Sequence, residues 1–422
     1  MRPIGTVHDH RAQNNLIDDD TEVQMEGLVT RSVLSVVVVG LLLVGSASGQ
    51  GVPRLDSYDG VAVRILQSNN AGTMQHVIDP AINEVVGIIR GCPNPHNLTS
   101  HPEGLYYYCS NELDQAVDVF DTKTLEHVTR IPLSARPNKI AVNKKHRKIY
   151  AGISQRTDNP GPGVEVDPDG QFPAVVDVID IDTHTLVKSI QVFSTVHNVF
   201  MTPDEQHVVL GLRGRVRPGD PTIQVLDPAT DTVAFGMELT GYEQYGRTHH
   251  EVRPMAFLAD SDGSTKTVFA QATGINRIWV IDWKTREMVN MLVPPELPLW
   301  EKNADGIQTG DMHGLEVLPD KSAVWASSRL DSRIYGWSLP DMDYIGSVRV
   351  GPSANWMTST PDSSHMYVAV SGSDHTLAID LESLEIVAKI RTGSRPARVS
   401  TVVLPPDRVN PRGIGMRTED NE

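Results

Sequence analysis

A short phrase returns along most of this chain, and it restricts the fold more than any other feature. Each copy opens with a β-rich run ending in aspartate: His76-Val77-Ile78-Asp79, Asp118-Val119-Phe120-Asp121, Asp177-Val178-Ile179-Asp180, Gln224-Val225-Leu226-Asp227, Trp279-Val280-Ile281-Asp282 and Leu377-Ala378-Ile379-Asp380. A worn copy, Ile334-Tyr335-Gly336-Trp337, fills the sixth place. A turn such as Asp121-Thr122-Lys123-Thr124 follows, then a second alternating run, for example Val85-Val86-Gly87-Ile88-Ile89. A third run leads to a Pro-Asp-like turn, as in Thr202-Pro203-Asp204-Glu205 and Thr360-Pro361-Asp362-Ser363. The fourth run is aromatic and β-branched, as in Leu105-Tyr106-Tyr107-Tyr108 and His365-Met366-Tyr367-Val368. Alternating runs divided by Gly, Pro and Asp turns are strand signals. No long amphipathic helical pattern interrupts them.

Four strands per repeat, at a period of roughly forty residues, make a twisted antiparallel sheet that cannot bury both faces alone. Radial packing of such sheets solves that problem. The expected fold is all-β, a seven-bladed β-propeller over residues 55–405. The seventh repeat lacks a clear fourth strand after Ala397–Leu404, and Gly60–Leu66 supplies a strand ahead of the first phrase. An N-terminal strand completing the last blade would leave no exposed edge.

The phrase, with patterns such as Met366-Tyr367-Val368-Ala369-Val370, resembles the YVTN-repeat, YncE-like family of propellers over roughly residues 58–404. The resemblance implies the fold. Similar propellers include surface proteins, lactonases and the propeller subunits of amine dehydrogenases, so it leaves the activity open.

The first fifty residues differ in kind. Residues 1–24 are polar, and residues 25–50 hold Arg31, the apolar stretch Val33–Val44 and the small residues Gly45-Ser46-Ala47-Ser48-Gly49. That order is a secretory signal pattern, and the apolar stretch is short for a bilayer span. The segment reads as a signal peptide, or as a signal anchor if retained, making the protein secreted or tethered by one N-terminal segment. Residues 406–422 read as a polar tail. The two cysteines, Cys92 and Cys109, flank a predicted strand pair; a bridge across one blade and two buried thiols both remain open. The net charge of −16 argues against a nucleic-acid partner.

Long connections at 154–174, 236–253 and 294–312 interrupt the repeats, and loops of that length in a compact fold tend to carry function. Aligning the repeats on the Pro-Asp turn places one residue of each third run in an equivalent slot: His96, Asn138, His197, Met255, His313, Asn355 and Ala397. If that run is innermost, three imidazoles approach a common axis at one mouth of the channel. Imidazole is a common ligand of iron and copper, and three leave open coordination positions. His96, His197 and His313 are the expected ligands, with His249 or His250 as a fourth, and Fe or Cu as the ion. Asp311 and Glu251 would be the acceptors that fix an imidazole tautomer; Asn138, Asn355 and Met255 would line the channel. A polar lining without metal explains the same residues.

Weaker signals are the sequon Asn97-Leu98-Thr99, which lies on the predicted inner strand, the basic loop Arg213–Arg217, and Asp167-Pro168-Asp169-Gly170, which lacks a full calcium-loop pattern. No nucleophile elbow, phosphate-binding glycine loop or haem-attachment sequence occurs. Three functions therefore stand: a metal-dependent oxidoreductase acting on a small molecule, a non-catalytic propeller presenting its loop face to a protein or glycan, and a lactonase-like hydrolase. Membrane contact is expected only through the N-terminal segment.

Overall fold

Seven four-stranded antiparallel sheets account for the strands of the computed structural model. It describes residues 61–156, 161–164, 173–213, 219–239, 251–272, 275–301 and 312–416. The segments expected at 1–24 and 25–50 lie outside this range, as do Asp167–Gly170, most of Arg213–Arg217, and His249, His250 and Asp311.

Blade 1 orders β28 (Pro396–Leu404), β1 (Ala62–Asn69), β2 (Met74–Asp79) and β3 (Glu84–Arg90). Blade 2 comprises β4 (Pro95–Ser100), β5 (Tyr106–Asn111), β6 (Ala116–Asp121) and β7 (His127–Pro132). Blade 3 comprises β8 (Pro137–Asn143), β9 (Lys148–Ile153), β10 (Ala174–Asp180) and β11 (Thr185–Val192). Blade 4 runs through β12 (Val196–Met201), β13 (Val208–Leu212), β14 (Ile223–Asp227) and β15 (Thr232–Met237). Blade 5 holds β16 (Val252–Ala259), β17 (Thr265–Ala272), β18 (Ile278–Asp282) and β19 (Met288–Leu292). Blade 6 holds β20 (Met312–Val317), β21 (Ala323–Ser328), β22 (Arg333–Ser338) and β23 (Tyr344–Arg349). Blade 7 holds β24 (Ala354–Ser359), β25 (His365–Val370), β26 (His375–Asp380) and β27 (Ile386–Arg391). The phrase read in the sequence thus straddles two blades, from the outer half of one to the inner half of the next.

Blade 1 draws on both ends of the domain. β1 pairs with β28 from Ala62↔Leu404 to Asn69↔Pro396. The innermost strands β4, β8, β12, β16, β20, β24 and β28 touch one another in that order, and β28 touches β4.

Period-two alternation sends neighbouring side chains to opposite faces of a blade, and here both faces are buried. Tyr107 and Tyr108 are adjacent and each fully buried. Tyr107 packs with Val77, Ile89 and Phe120 between blades 1 and 2, while Tyr108 packs with Ile140, Ile149 and Ala151 between blades 2 and 3. Full burial of such a side chain contributes roughly 1.5–3 kcal/mol. The repeat therefore carries apolar residues at consecutive positions, unlike a sheet with one wet face.

The Asp that ends each phrase builds the turn between the third and fourth strands. Asp121 Oδ1 accepts from the backbone N–H of Lys123 and Thr124, both at 2.9 Å. Asp180, Asp227, Asp282 and Asp380 accept from Thr183, Ala229, Thr285 and Ser383 in the same manner. In the worn sixth copy Ser338 takes the place, its Oγ accepting from Asp343 N–H at 3.1 Å. Four residues past this position every blade has a left-handed residue: Asn83, Leu125, His184, Asp231, Arg286, Met342 and Leu384.

A disulfide joins Cys92 to Cys109. It does not cross one blade, as the spacing suggested: Cys92 follows β3 of blade 1 and Cys109 lies on β5 of blade 2. The connection between consecutive blades is what it staples. The tail after β28 is also more than a polar extension, because Val409 and Ile414 pack on the apolar cluster between blades 1 and 2. Ile88 N–H donates to Ile414 O at 3.0 Å and Gly413 N–H to Val86 O at 2.9 Å, so the segment lies against β3. A Cβ at Gly415 would strike the Ile88 carbonyl. Among the described residues no helix is long and apolar enough to cross a membrane.

Candidate functional site

Innermost strands begin at one face of the ring, and the strand ends joined by the 154–174, 236–253 and 294–312 connections lie at that same face. The second residue of each innermost strand is His96, Asn138, His197, Arg253, His313, Asn355 and Ala397. The column expected from the sequence therefore needs one correction. In β16, Val252 pairs with Ala272 and Met255 with Ala270, so Met255 corresponds to Leu98 and Met357. Met255 is buried in the apolar core, and Arg253 occupies the slot. The longer turn at Asp260–Ser264 had shifted the alignment by two residues.

His96, His313 and Asn355 converge on one side chain the column did not include. Arg398, on β28, is buried. One terminal nitrogen of its guanidinium lies 3.2 Å from His96 Nε2. The other lies 3.0 Å from His313 Nδ1 and 3.1 Å from Asn355 Oδ1. Guanidinium has donors only, so each contact needs an acceptor lone pair. His313 Nδ1 is also 3.1 Å from the Asn355 carbonyl, a bond it could make only by carrying the proton. Beside a group that cannot accept, the lone pair is the better match. Asn355 is turned to present its oxygen, because its Nδ2 donates to Ser371 Oγ at 2.8 Å. Arg329 Nη2 donates to the same Oδ1 at 3.0 Å.

Burial first, and then the charges of Arg398 and, for His313, Arg329, holds the pKa of both imidazoles well below the ordinary histidine value. Burial likewise pulls Arg398 down, with Arg329 and Arg253 adding to it. With Nε2 of His96 accepting, its proton sits on Nδ1. That buried N–H and the Nε–H of Arg398 have no hydrogen-bond partner among the described residues, and neither does the buried Oδ1 of Asn138. Buried polar atoms normally find partners. A buried guanidinium bonded only by neutral acceptors, with its own Nε–H unpaired, is an anion-seeking feature.

His197 stands apart from Arg398. Its Nδ1 bonds to Glu251, which also faces Arg253 at 3.3 Å and Arg213 at 3.6 Å. Burial drives the His197 pKa down to about 4, outweighing the upward pull of Glu251. Burial works to raise Glu251, yet the bond from His197 and the two arginine charges win and lower it. The pair is thus a neutral imidazole donating to an ionised carboxylate. That tautomer leaves a lone pair on Nε2, which makes no hydrogen bond among the described residues.

The described residues do not fit the expected iron or copper ion. No three His, Cys, Asp or Glu side chains among them form a metal-ligand group. A divalent ion on His96 Nε2 would lie within about 4 Å of the guanidinium, and their repulsion at an effective dielectric of 20 is roughly 8 kcal/mol. His249, His250 and Asp311 lie outside the described residues.

Sequence reasoning missed Arg398, Arg253, Arg329 and Lys139. Each innermost strand opens with a register shift, as between Pro95 and Leu98 or Pro137 and Ile140. At a bulge two residues face one partner and strict alternation fails, so the second and third residues of one strand can both serve the channel. Reading the next column as well (Asn97, Lys139, Asn198, Pro254, Gly314, Trp356, Arg398) would have found Lys139 and Arg398. In that column Asn97 is committed to structure. Its side-chain amide bonds both the N–H and the C=O of Ile140 in blade 3 and is buried there, with no room for a glycan.

No protein-family model matches the chain, and no curated protein matches it in sequence. Solved structures match its fold. The periplasmic gluconolactonase PpgL of Pseudomonas aeruginosa is 16% identical with a TM-score of 0.57, covering 82% of this chain and 100% of that one. A putative 6-phosphogluconolactonase of Bacteroides fragilis is 14% identical with a TM-score of 0.56, covering 82% and 99%. Kuenenia stuttgartiensis hydrazine synthase is 15% identical with a TM-score of 0.55, covering 74% and 96%. At these identities the similarity establishes the architecture: the chain is a seven-bladed β-propeller with gluconolactonase-like propellers among its structural neighbours.

Proposed function

We propose that this chain is an extracytoplasmic, YVTN-like propeller that binds a small organic anion at the channel mouth and opens a lactone ring. The observation that carries the reading is Arg398, a buried guanidinium held only by neutral acceptors, whose own Nε–H has no partner among the described residues. An unneutralised buried cation is costly, and a bound carboxylate relieves that cost. The lactonases among the structural neighbours, the N-terminal apolar run and the Cys92–Cys109 disulfide support the reaction class and the compartment.

His197 supplies the chemistry. Its Nε2 takes a proton from water, the hydroxide adds to the lactone carbonyl, and the ring C–O bond breaks as the alkoxide recovers the proton from the imidazolium. The product is a hydroxy acid whose new carboxyl group releases its proton to solvent, leaving a carboxylate and an alcohol, and no oxidant is consumed. Glu251 keeps the proton of the resting imidazole on Nδ1, and the surrounding arginines favour the negative charge that develops on the carbonyl oxygen.

Steady-state hydrolysis of neutral aldonolactones and of their carboxylate-bearing aldarolactone counterparts tests this. Arg398→Met is expected to lower kcat/KM by about 100-fold or more, and His197→Asn to lower kcat with KM little changed. Hydrolysis no faster than in buffer, with carboxylate binding retained, would leave a binding propeller. The metal-dependent oxidoreductase suggested by the histidine column has its own signature, stoichiometric iron or copper in purified protein that His197→Ala loses; that result would overturn the hydrolytic reading.

A further inference from the structure

Three residues of the third-position column meet across the channel. Trp356 of blade 7 lies between Arg398 of blade 1, whose Cζ is 4.2 Å from the indole centre, and Lys139 of blade 3, whose Nζ is 5.0 Å from it. Lys139 Nζ also lies 3.5 Å from the centre of the Phe200 ring, and Phe200 and Trp356 stack 6.4 Å apart at 18°. Cation–π contacts of this kind favour a charged nitrogen. They supply no hydrogen-bond acceptor.

Neither cationic side chain has a carboxylate hydrogen-bonded to it among the described residues. Lys139 is half-buried, its ammonium set against the Phe200 and Trp356 rings, and it makes no hydrogen bond among the described residues. The carboxylate that acts on it, Glu316, is committed elsewhere, accepting from Ser359 N–H at 2.7 Å and Ser359 Oγ at 2.5 Å. Burial raises the Glu316 pKa to about 7, so at neutral pH this carboxyl is only partly ionised. Burial, and then Arg398, pulls Lys139 well below the ordinary lysine range. Two like charges over one indole repel each other, and an anion at each end of a ligand would remove both penalties.

We infer that the ligand is a dianion, one carboxylate taken by Arg398, the second by Lys139, with its carbon spine against Trp356 and Phe200. The inference deepens the anion-binding reading and rests on it. It assigns Lys139, which the hydrolytic step does not use, as the residue that selects a two-headed ligand.

Calorimetric titration with chain-matched pairs tests it: succinate with butyrate, glutarate with valerate, adipate with heptanoate. Wild type is expected to bind at least one diacid about tenfold or more tightly than its monoacid. Lys139→Met should erase that preference and leave monoacid affinity within about twofold, with Lys139→Gln giving the same result as a control for packing. Diacid binding should also take up more protons than monoacid binding, read from titrations in two buffers of different ionisation enthalpy, because an anion restores the charge on Lys139. A preference unchanged in both variants, or no preference in wild type, overturns the dianion while monoacid binding keeps the anion site. Loss of neither acid with Arg398→Met, or no binding by wild type, overturns the site itself and the inference with it.

Discussion

The two faces of the ring are built on opposite plans. On the face carrying the turns between third and fourth strands, every blade repeats one device, an Asp or Ser acceptor followed by a left-handed residue four positions on. On the face where the innermost strands begin, no two neighbouring blades present the same residue: His96, Asn138, His197, Arg253, His313, Asn355 and Ala397. Repetition marks what each blade needs in order to fold, and the unrepeated column marks what the ring needs only once. The cost of each plan differs too. The turn face satisfies its polar atoms locally, whereas the mouth buries imidazoles and a guanidinium whose charges are unfavourable there.

Acid should separate the faces most strongly. His197 has its pKa lowered from 6.5 to about 4, so the unfolded chain takes up protons that the fold refuses. Stability on this account falls as pH drops below 6.5 and continues to fall to about 4, by roughly 3 kcal/mol for His197. His96 and His313 shift in the same direction and add to the loss. The turn carboxylates of Asp121, Asp227, Asp282 and Asp380 have lowered values, and their contribution goes only as pH falls below 3.8. Hydrogen exchange at pH 5 should therefore show β4, β12 and β20 opening at their first residues while the Asp turns stay protected. Equal protection of both ends would break the comparison.

A smaller effect sharpens it. Reduction of Cys92–Cys109, which closes a short loop with a sequence separation of 17, should cost about 3 kcal/mol on the chain-entropy account. Denaturant melts with and without reductant measure it, and a coincident pair of curves would mean that packing alone holds blade 1 to blade 2. The smallest effect is Asp380→Ala, which removes acceptors for Ser383 N–H at 2.7 Å and Glu382 N–H at 3.1 Å. It should cost about 1 kcal/mol and leave anion binding intact. A loss of binding there would show that the two faces are coupled.

The contrast also explains what could be read from the amino acids alone. Aspartate at the end of a β-branched run, repeated with a fixed turn after it, announces itself, and the blades follow from it. Even the damaged sixth copy keeps the turn, through the backbone bonds Met342 N–H to Ser338 O at 2.9 Å and Ser338 N–H to Asp343 O at 2.8 Å. His96, His197 and His313 were visible because histidine is uncommon and their spacing matched. Their chemistry was not, since a side chain remote in sequence sets it: Arg398 is 302 residues from His96. A bulge at the start of each innermost strand hid which of two adjacent residues faces the axis. Glu251 was readable as an acceptor, and it bonds to His197; Met255 was misplaced because a longer hairpin moved the count.

Arg398 lies on β28, the strand that shares a sheet with β1. A chain emerging from the ribosome thus holds β1, β2 and β3 long before their inner neighbour is made. Arg398, the cation proposed to bind the ligand, arrives with that neighbour, so the mouth is assembled only when head and tail of the polypeptide meet.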